Sequence, residues 1–244
     1  MNPNIHVFDT PQDTARAVAE LILKKAKEKI KLSLPFNLAL SGGTTPKLLF
    51  KLIGDEFSDL IPWHFVRLFW VDERCVPSTN EESNYGMTYE NLLKSVPIHD
   101  ANVFPIQGEI DPQTEAKRYQ ITLETQLPSP NGIPKFDLIL LGMGEDGHTA
   151  SIFPNDLSLI HSDQFVAVSM HPVTNQKRIT LTGQIINQAD DVIFLITGHS
   201  KAKVLKKIIT HDTDFDNYPA SYIHAQSFPA QFYIDKAAAE KLYL

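Results

Sequence analysis

Five short apolar runs constrain what this chain can fold into: FNLAL (36–40), VRLFWV (66–71), FDLILL (136–141), FVAVSM (165–170) and VIFLIT (192–197). They are rich in β-branched and aromatic residues, as expected of strands buried on both faces. Most are separated by segments with helical periodicity, such as PQTEAKRYQITLETQL (112–127) and KAKVLKKII (201–209). Strands alternating with helices predict a doubly wound α/β fold, a mainly parallel sheet with helices on both faces. Near the start, Asp9 or Thr10 can cap a helix, Pro11 suits its first position, and Ala15, Val18, Ile22, Ala26 and Ile30 recur at helical spacing. No repeat, low-complexity tract or long linker divides the chain, and the Pro-rich patches LPSPNGIP and VPIHDANVFP read as ordinary connections. Residues 1–244, with 43% hydrophobic residues, are therefore expected to form a single domain with a sizeable core.

Charge and cysteine content exclude several classes of function. With 22 Lys+Arg against 29 Asp+Glu the net charge is −7, unsuited to holding nucleic acid or an anionic membrane by bulk electrostatics. An anionic ligand must instead be caught locally. The single cysteine, Cys75, rules out an internal disulfide and a cysteine-rich zinc site, and fits a reducing compartment. The sequence MNPNIHVFDTPQDT lacks a basic start followed by an apolar core, and no later run is long enough to span a membrane. The expectation is a cytoplasmic protein with no nucleic-acid or membrane partner, a monomer or weak homodimer.

Four polar stretches follow directly on strands: SGGTTP, DERCVP, GMGEDGHTAS and GHSK. In a parallel sheet the strands' carboxyl ends share one rim, where ligands of open α/β folds bind, so all four are expected to face one crevice. In SGGTTP, Gly42 and Gly43 let the backbone approach a ligand, Thr45 can cap, and Pro46 can begin a helix whose N-terminus would hold a phosphate. The same residues also read as a well-capped strand-to-helix turn. In DERCVPSTNEESNYG, Arg74 can grip a phosphate or carboxylate and Asp72 can orient sugar hydroxyls, while Ser83, Asn84 and Tyr85 mark the entrance of the next helix. The bland alternative is a surface ion pair. Cys75 beside Arg74 reads either as a reactive thiolate or as an inert, buried thiol.

His148 is the candidate general base. A base for water must be neutral near pH 7, and a histidine at the entrance of a helical turn has its protonated form disfavoured by the helix dipole. Gly142, Gly144 and Gly147 can free backbone N–H groups for an oxyanion, and Glu145 or Asp146 can fix the ring. A structural, capping histidine is the alternative. Lys201 sits in the first turn of a helix, a poor place for a cation unless an anion binds there. Arg178, in KRITLT, starts its strand and reaches the same rim only if that strand runs antiparallel. There is no G-x-S-x-G elbow, HExxH, Walker lysine or paired-cysteine site, and the other histidines lack ligand spacing. Metal-free, cofactor-free chemistry on a small phosphorylated molecule remains.

In LALSGGTTP, DERCVPSTNEESNYG, FDLILLGMGEDGHTASIFP and KRITLT, in that order and spacing, the sequence resembles the 6-phosphogluconolactonases over nearly its whole length. The long third motif is specific, and Ile152, where leucine is common, is the one departure in the central motifs. The resemblance implies a Rossmann-like fold and metal-free hydrolysis of 6-phospho-D-glucono-1,5-lactone, a small phosphorylated sugar lactone. By the same resemblance His148 is the base. Ser41, Gly42, Gly43 and Thr44 help hold the substrate, Arg74 contacts its phosphate or hydroxyls, and Lys201 and Arg178 are further candidates. Glucosamine-6-phosphate deaminase, a relative with a similar phosphate loop and histidine bend, is the nearest rival. It would be expected to show an aromatic residue after the acid pair and NEP behind the bend, where this chain has DERCVP and HTASIFP. A non-catalytic phosphosugar sensor on the same scaffold is the rival from another class.

Overall fold

The computed structural model describes residues 4–154 and 156–242. Among these residues two sheets form. The larger has seven parallel strands, β1 (Asn4–Phe8), β2 (Phe36–Leu40), β3 (Val66–Trp70), β5 (Val103–Phe104), β6 (Leu138–Leu141), β9 (Asp191–Ile196) and β10 (Gln231–Asp235). The smaller is antiparallel, with β4 (Asp72–Arg74) against β8 (Lys177–Leu181) and β8 against β7 (Val166–Met170). The helices are α1 (Pro11–Lys31), α2 (Thr44–Leu52), α3 (Asn84–Asn91), α4 (Pro112–Gln126), α5 (Gly183–Ile186), α6 (Ala202–Thr210) and α7 (Lys236–Ala239). The α/β class and parallel sheet follow the sequence pattern. FVAVSM does not join that sheet: only six residues separate Met170 from its partner Lys177, enough for a hairpin but too few for the crossover a parallel neighbour requires.

Strand order in the large sheet is β1-β10-β9-β6-β2-β3-β5. From β2 the chain steps outward to β3 and β5; from β6, on the other side of β2, it steps the opposite way to β9 and β10. The loops leaving β2 and β6 therefore part, which opens a crevice at the carboxyl ends of these adjacent strands. All five residues of β2 are buried, as are all four of β6, so the crevice stands on the least deformable part of the sheet.

α1 shows how sequence fixes an element here. Thr10 Oγ1 accepts from Asp13 N at 3.1 Å, Pro11 occupies the first turn, and Ala15, Val18, Ile22 and Ala26 are buried against the sheet. Ile30, at the last turn, is only half-buried. Lys25 and Lys29 reach down to Asp191 and Asp137 at the amino-terminal ends of strands. At the other edge β5 is only two residues long and pairs with Leu68 and Phe69, so Trp70 projects beyond it. The Tyr119 hydroxyl, on α4, takes the place of the missing strand: it accepts from Trp70 N and donates to Trp70 O, both at 2.9 Å. Tyr119→Phe should strip both buried backbone groups of their partner and cost about 1–3 kcal/mol. A calorimetric melt should then show Tm falling by several degrees with crevice geometry unchanged, and an unchanged Tm would mean the hydroxyl is not needed there.

Candidate active site

The crevice has a cavity volume of about 210 Å3 and is lined from all four polar stretches: Ser41 to Pro46, Asp72 with Arg74, Gly142 to Gly144 with His148, and Thr197 with Lys201. Arg178 and Asn84 also line it. Arg178 arrives because β8 is antiparallel to β4 and places it directly opposite Arg74.

After β2 the backbone turns at Gly43, whose φ of +107° is a region that L side chains rarely adopt. Gly43 is itself the N-cap of α2 and offers no side chain to the first N–H groups. The expected cap, Thr45, lies inside the helix, which begins at Thr44 rather than Pro46; its hydroxyl shares a 2.9 Å hydrogen bond with Thr197 Oγ1 across the crevice floor. The first turn of α2 thus presents unsatisfied N–H groups to the crevice. Ser41 Oγ is buried without a protein partner. A Cβ on Gly42 would lie 1.7 Å from Asn84 Oδ1, so the closeness of the loop to α3 depends on glycine.

The acid pair is not a surface ion pair. Glu73 is 1% exposed, and its carboxylate accepts from Arg74 N, Asn84 N, Tyr85 N and Ser83 Oγ at 2.7–3.0 Å, gathering the start of α3. Burial raises its pKa, against the lowering effect of those backbone N–H groups. Asp72 faces the other way. Its Oδ2 accepts from Ser151 Oγ at 2.6 Å and its Oδ1 from Asn84 Nδ2 at 3.3 Å, so it ties the histidine bend to α3 at the crevice wall.

The bend after β6 carries His148, but no helix starts there: Thr149 and Ile152 form an isolated bridge, and Ala150 takes a φ of +49°. The dipole expected at His148 is replaced by a neighbour. His148 Nδ1 lies 2.6 Å from Asp146 Oδ1, and His148 N donates to the same oxygen at 3.2 Å. Burial would raise the Asp146 pKa, but the hydrogen bond and charge of His148 outweigh it and hold the carboxyl below its ordinary range. An ionised Asp146 accepting from Nδ1–H leaves Nε2 as the proton acceptor. Gly144 must be glycine, since a Cβ would meet His148 Nδ1 at 2.1 Å. The expectation of free glycine N–H groups fails in part, because Gly144 N donates to His148 O and Gly147 N to Gly144 O. Glu145 does not touch the ring; its Oε1 lies 3.7 Å from Lys201 Nζ.

Positive charge gathers around the bend. Arg178 stacks 5.6 Å from the Phe153 ring centroid and donates weakly to Ser151 Oγ at 3.4 Å, and Arg74 Nη1 donates to Glu82 O at 2.5 Å. The Nε atoms of both arginines are buried with no protein partner. Burial and the charge of Arg74 lower the Arg178 pKa. Two like charges opposite each other on paired strands oppose folding unless an anion lies between them. Lys201 is the N-cap of α6, behind Gly198 at φ +93°. Sequence reasoning missed Ser151 and Thr197, whose contacts with Asp72 and Thr45 span long stretches of chain, and it named Asn84 only as a helix start.

Comparison with known proteins finds one family over most of the chain. The family described as glucosamine-6-phosphate isomerases/6-phosphogluconolactonase matches residues 9–232. A 6-phosphogluconolactonase of Treponema pallidum is 38% identical over 92% of this chain and 89% of its own. One from Haemophilus influenzae is 38% identical over 94% and 97%. The solved structure of 6-phosphogluconolactonase from Trypanosoma brucei superposes with a TM-score of 0.85 at 33% identity, covering 98% of each chain.

The site geometry also settles how Cys75 should behave. Burial and the nearby Glu73 charge push its thiol up to about 11, so it stays protonated at neutral pH. Iodoacetamide at pH 7–8 should leave it unmodified by mass spectrometry, with alkylation rising only as pH approaches the thiol's own value. Rapid labelling at pH 7 would show a thiolate instead.

Proposed function

The chain belongs to the glucosamine-6-phosphate isomerase/6-phosphogluconolactonase family, and we propose that within it the protein hydrolyses 6-phospho-D-glucono-1,5-lactone to 6-phosphogluconate, the lactone step of the oxidative pentose phosphate pathway. The observation that carries this reading is the pairing of Asp146 with His148 Nδ1 in a crevice that Arg74, Arg178 and Lys201 also line. The pair supplies a proton acceptor, and the cations receive an anion. Among the described residues no helix is long and apolar enough to cross a membrane. A cytoplasmic monomer or weak homodimer, built as one sugar-phosphate-binding unit, belongs to the same proposal.

The chemistry follows from these two sets of groups. The 6-phosphate is held by the guanidinium and ammonium groups and by the N–H groups of the uncapped turn of α2, with Ser41 Oγ as a further donor. This remote binding energy places the lactone carbonyl beside His148. His148 Nε2 takes a proton from water as its oxygen attacks C1, and Asp146 stabilises the imidazolium that forms. Negative charge develops on the carbonyl oxygen near the cations of the crevice. Collapse of the tetrahedral carbon breaks the C1–O5 bond, and the proton passes from imidazolium to O5, giving the open-chain acid. No step runs through a metal. Among the described residues no group of three or more His, Cys, Asp or Glu side chains is placed to hold one.

Two measurements test this. Lactone generated enzymatically from glucose 6-phosphate should disappear faster than its spontaneous rate with the protein present, and His148→Asn should fold, bind 6-phosphogluconate and lose roughly 10²- to 10⁴-fold in kcat. Near-full activity of that variant would make His148 a structural residue. Separately, gluconolactone without its phosphate should show a far lower kcat/KM, and Lys201→Met should raise KM more than it lowers kcat. Equal kcat/KM for the two lactones would remove the anion site from the mechanism.

A further inference from the structure

Gly147 lies between the two members of the Asp146–His148 pair, at φ +79°. Its open Cα face is covered by a residue seventy-one positions away: a Cβ on Gly147 would lie 2.5–2.8 Å from Cδ1, Cβ and Cγ of Tyr218. Beside that contact Ala220 N donates to Gly147 O at 3.1 Å, so the segment around Tyr218 grips both the face and the carbonyl of this one residue. Tyr218 is itself held. Its hydroxyl donates to Asp214 Oδ2 at 3.3 Å, and Lys207, paired with Asp214 at 2.5 Å, sits 5.8 Å from its ring centroid. Tyr218 is outside the residues that line the crevice.

We propose that Tyr218 is a positioning residue for the reaction, its ring pressing on Gly147 so that the peptides on either side keep Asp146 Oδ1 on His148 Nδ1. The inference rests on His148 being the base. A left-handed glycine has many other conformations to relax into. With the ring removed, Gly147 can turn and carry Asp146 away from the imidazole, while Arg74, Arg178 and Lys201 keep their backbone positions on β4, β8 and at the start of α6. The contact is made by the ring, so the hydroxyl should matter little.

The test compares Tyr218→Phe, Tyr218→Leu and Tyr218→Ala in the full chain, with circular dichroism and melting to verify folding. The Ala and Leu variants should lose roughly 10- to 100-fold in kcat with KM within about twofold of wild type, the scale expected when a reacting group is misplaced. Tyr218→Phe should restore kcat to within about twofold. In ¹⁵N-histidine-labelled protein, the His148 Nδ1–H resonance bonded to Asp146 should persist in wild type and Tyr218→Phe and shift or vanish in the others. The leucine variant keeps bulk in the core and serves if the alanine variant does not fold. Wild-type kcat in the folded Leu or Ala variant, an unmoved His148 resonance beside a lost kcat, or failure of phenylalanine to rescue would each overturn the proposal. Absence of lactonase activity in the wild type would instead sink the functional reading and leave the resonance comparison standing.

Discussion

Parallel strands cannot be joined by tight turns, because each connection must travel back along the sheet before the next strand begins. That constraint organises this molecule. It sends every strand of the large sheet out at the same rim, and the opposite departures from β2 and β6 leave a gap in the cover at one place along it. The phosphate-type loop, the histidine bend and the lysine turn reach the crevice because they are strand ends. The arginine wall needs a second device, the small antiparallel sheet, which brings Arg178 in from the beginning of a strand and sets it against Arg74.

Burial of charge is organised around adjacent residues that face opposite ways. Successive side chains of β4 alternate, so Asp72 looks into the crevice wall and Glu73 into α3. Glu73 has its oxygens occupied by backbone and hydroxyl donors, the condition under which a buried carboxylate is tolerable. Arg74 and Arg178, paired across β4 and β8, keep unpartnered Nε atoms. One side of the site is thus satisfied internally and rigid, and the other is left electrostatically unfinished, which suits a surface that waits for an anion.

Much of this was legible in the sequence. Caps, apolar runs and strand-end glycines report local chemistry, and α1, the parallel sheet and the shared rim follow from them. The antiparallel path of Arg178 was legible only as a condition, since hairpin or crossover is decided by chain reach rather than by side-chain pattern. β1 and β10 escaped notice because NIHVF and QFYID mix polar residues into short strands, and β5 because it has two residues. The helix expected at His148 failed for a different reason. Gly147 and the bridge at Thr149 spend the local hydrogen bonds on a closed bend, so the ring is set by Asp146, two residues back, instead of by a macrodipole.

Gly42 and Asn84 stand forty-two positions apart, yet a single added carbon on the first would fall inside the amide of the second. Asn84 in turn donates to the carbonyl oxygen of Asp72 at 2.9 Å, so it cannot withdraw without loosening the crevice wall. The two positions are therefore not free to vary one at a time. A larger residue at 42 becomes tolerable only after 84 has shortened, and a shortened 84 leaves a hole until 42 has grown. Either first step passes through a damaged protein, so the pair should be inherited as one character, with its substitutions coupled rather than additive.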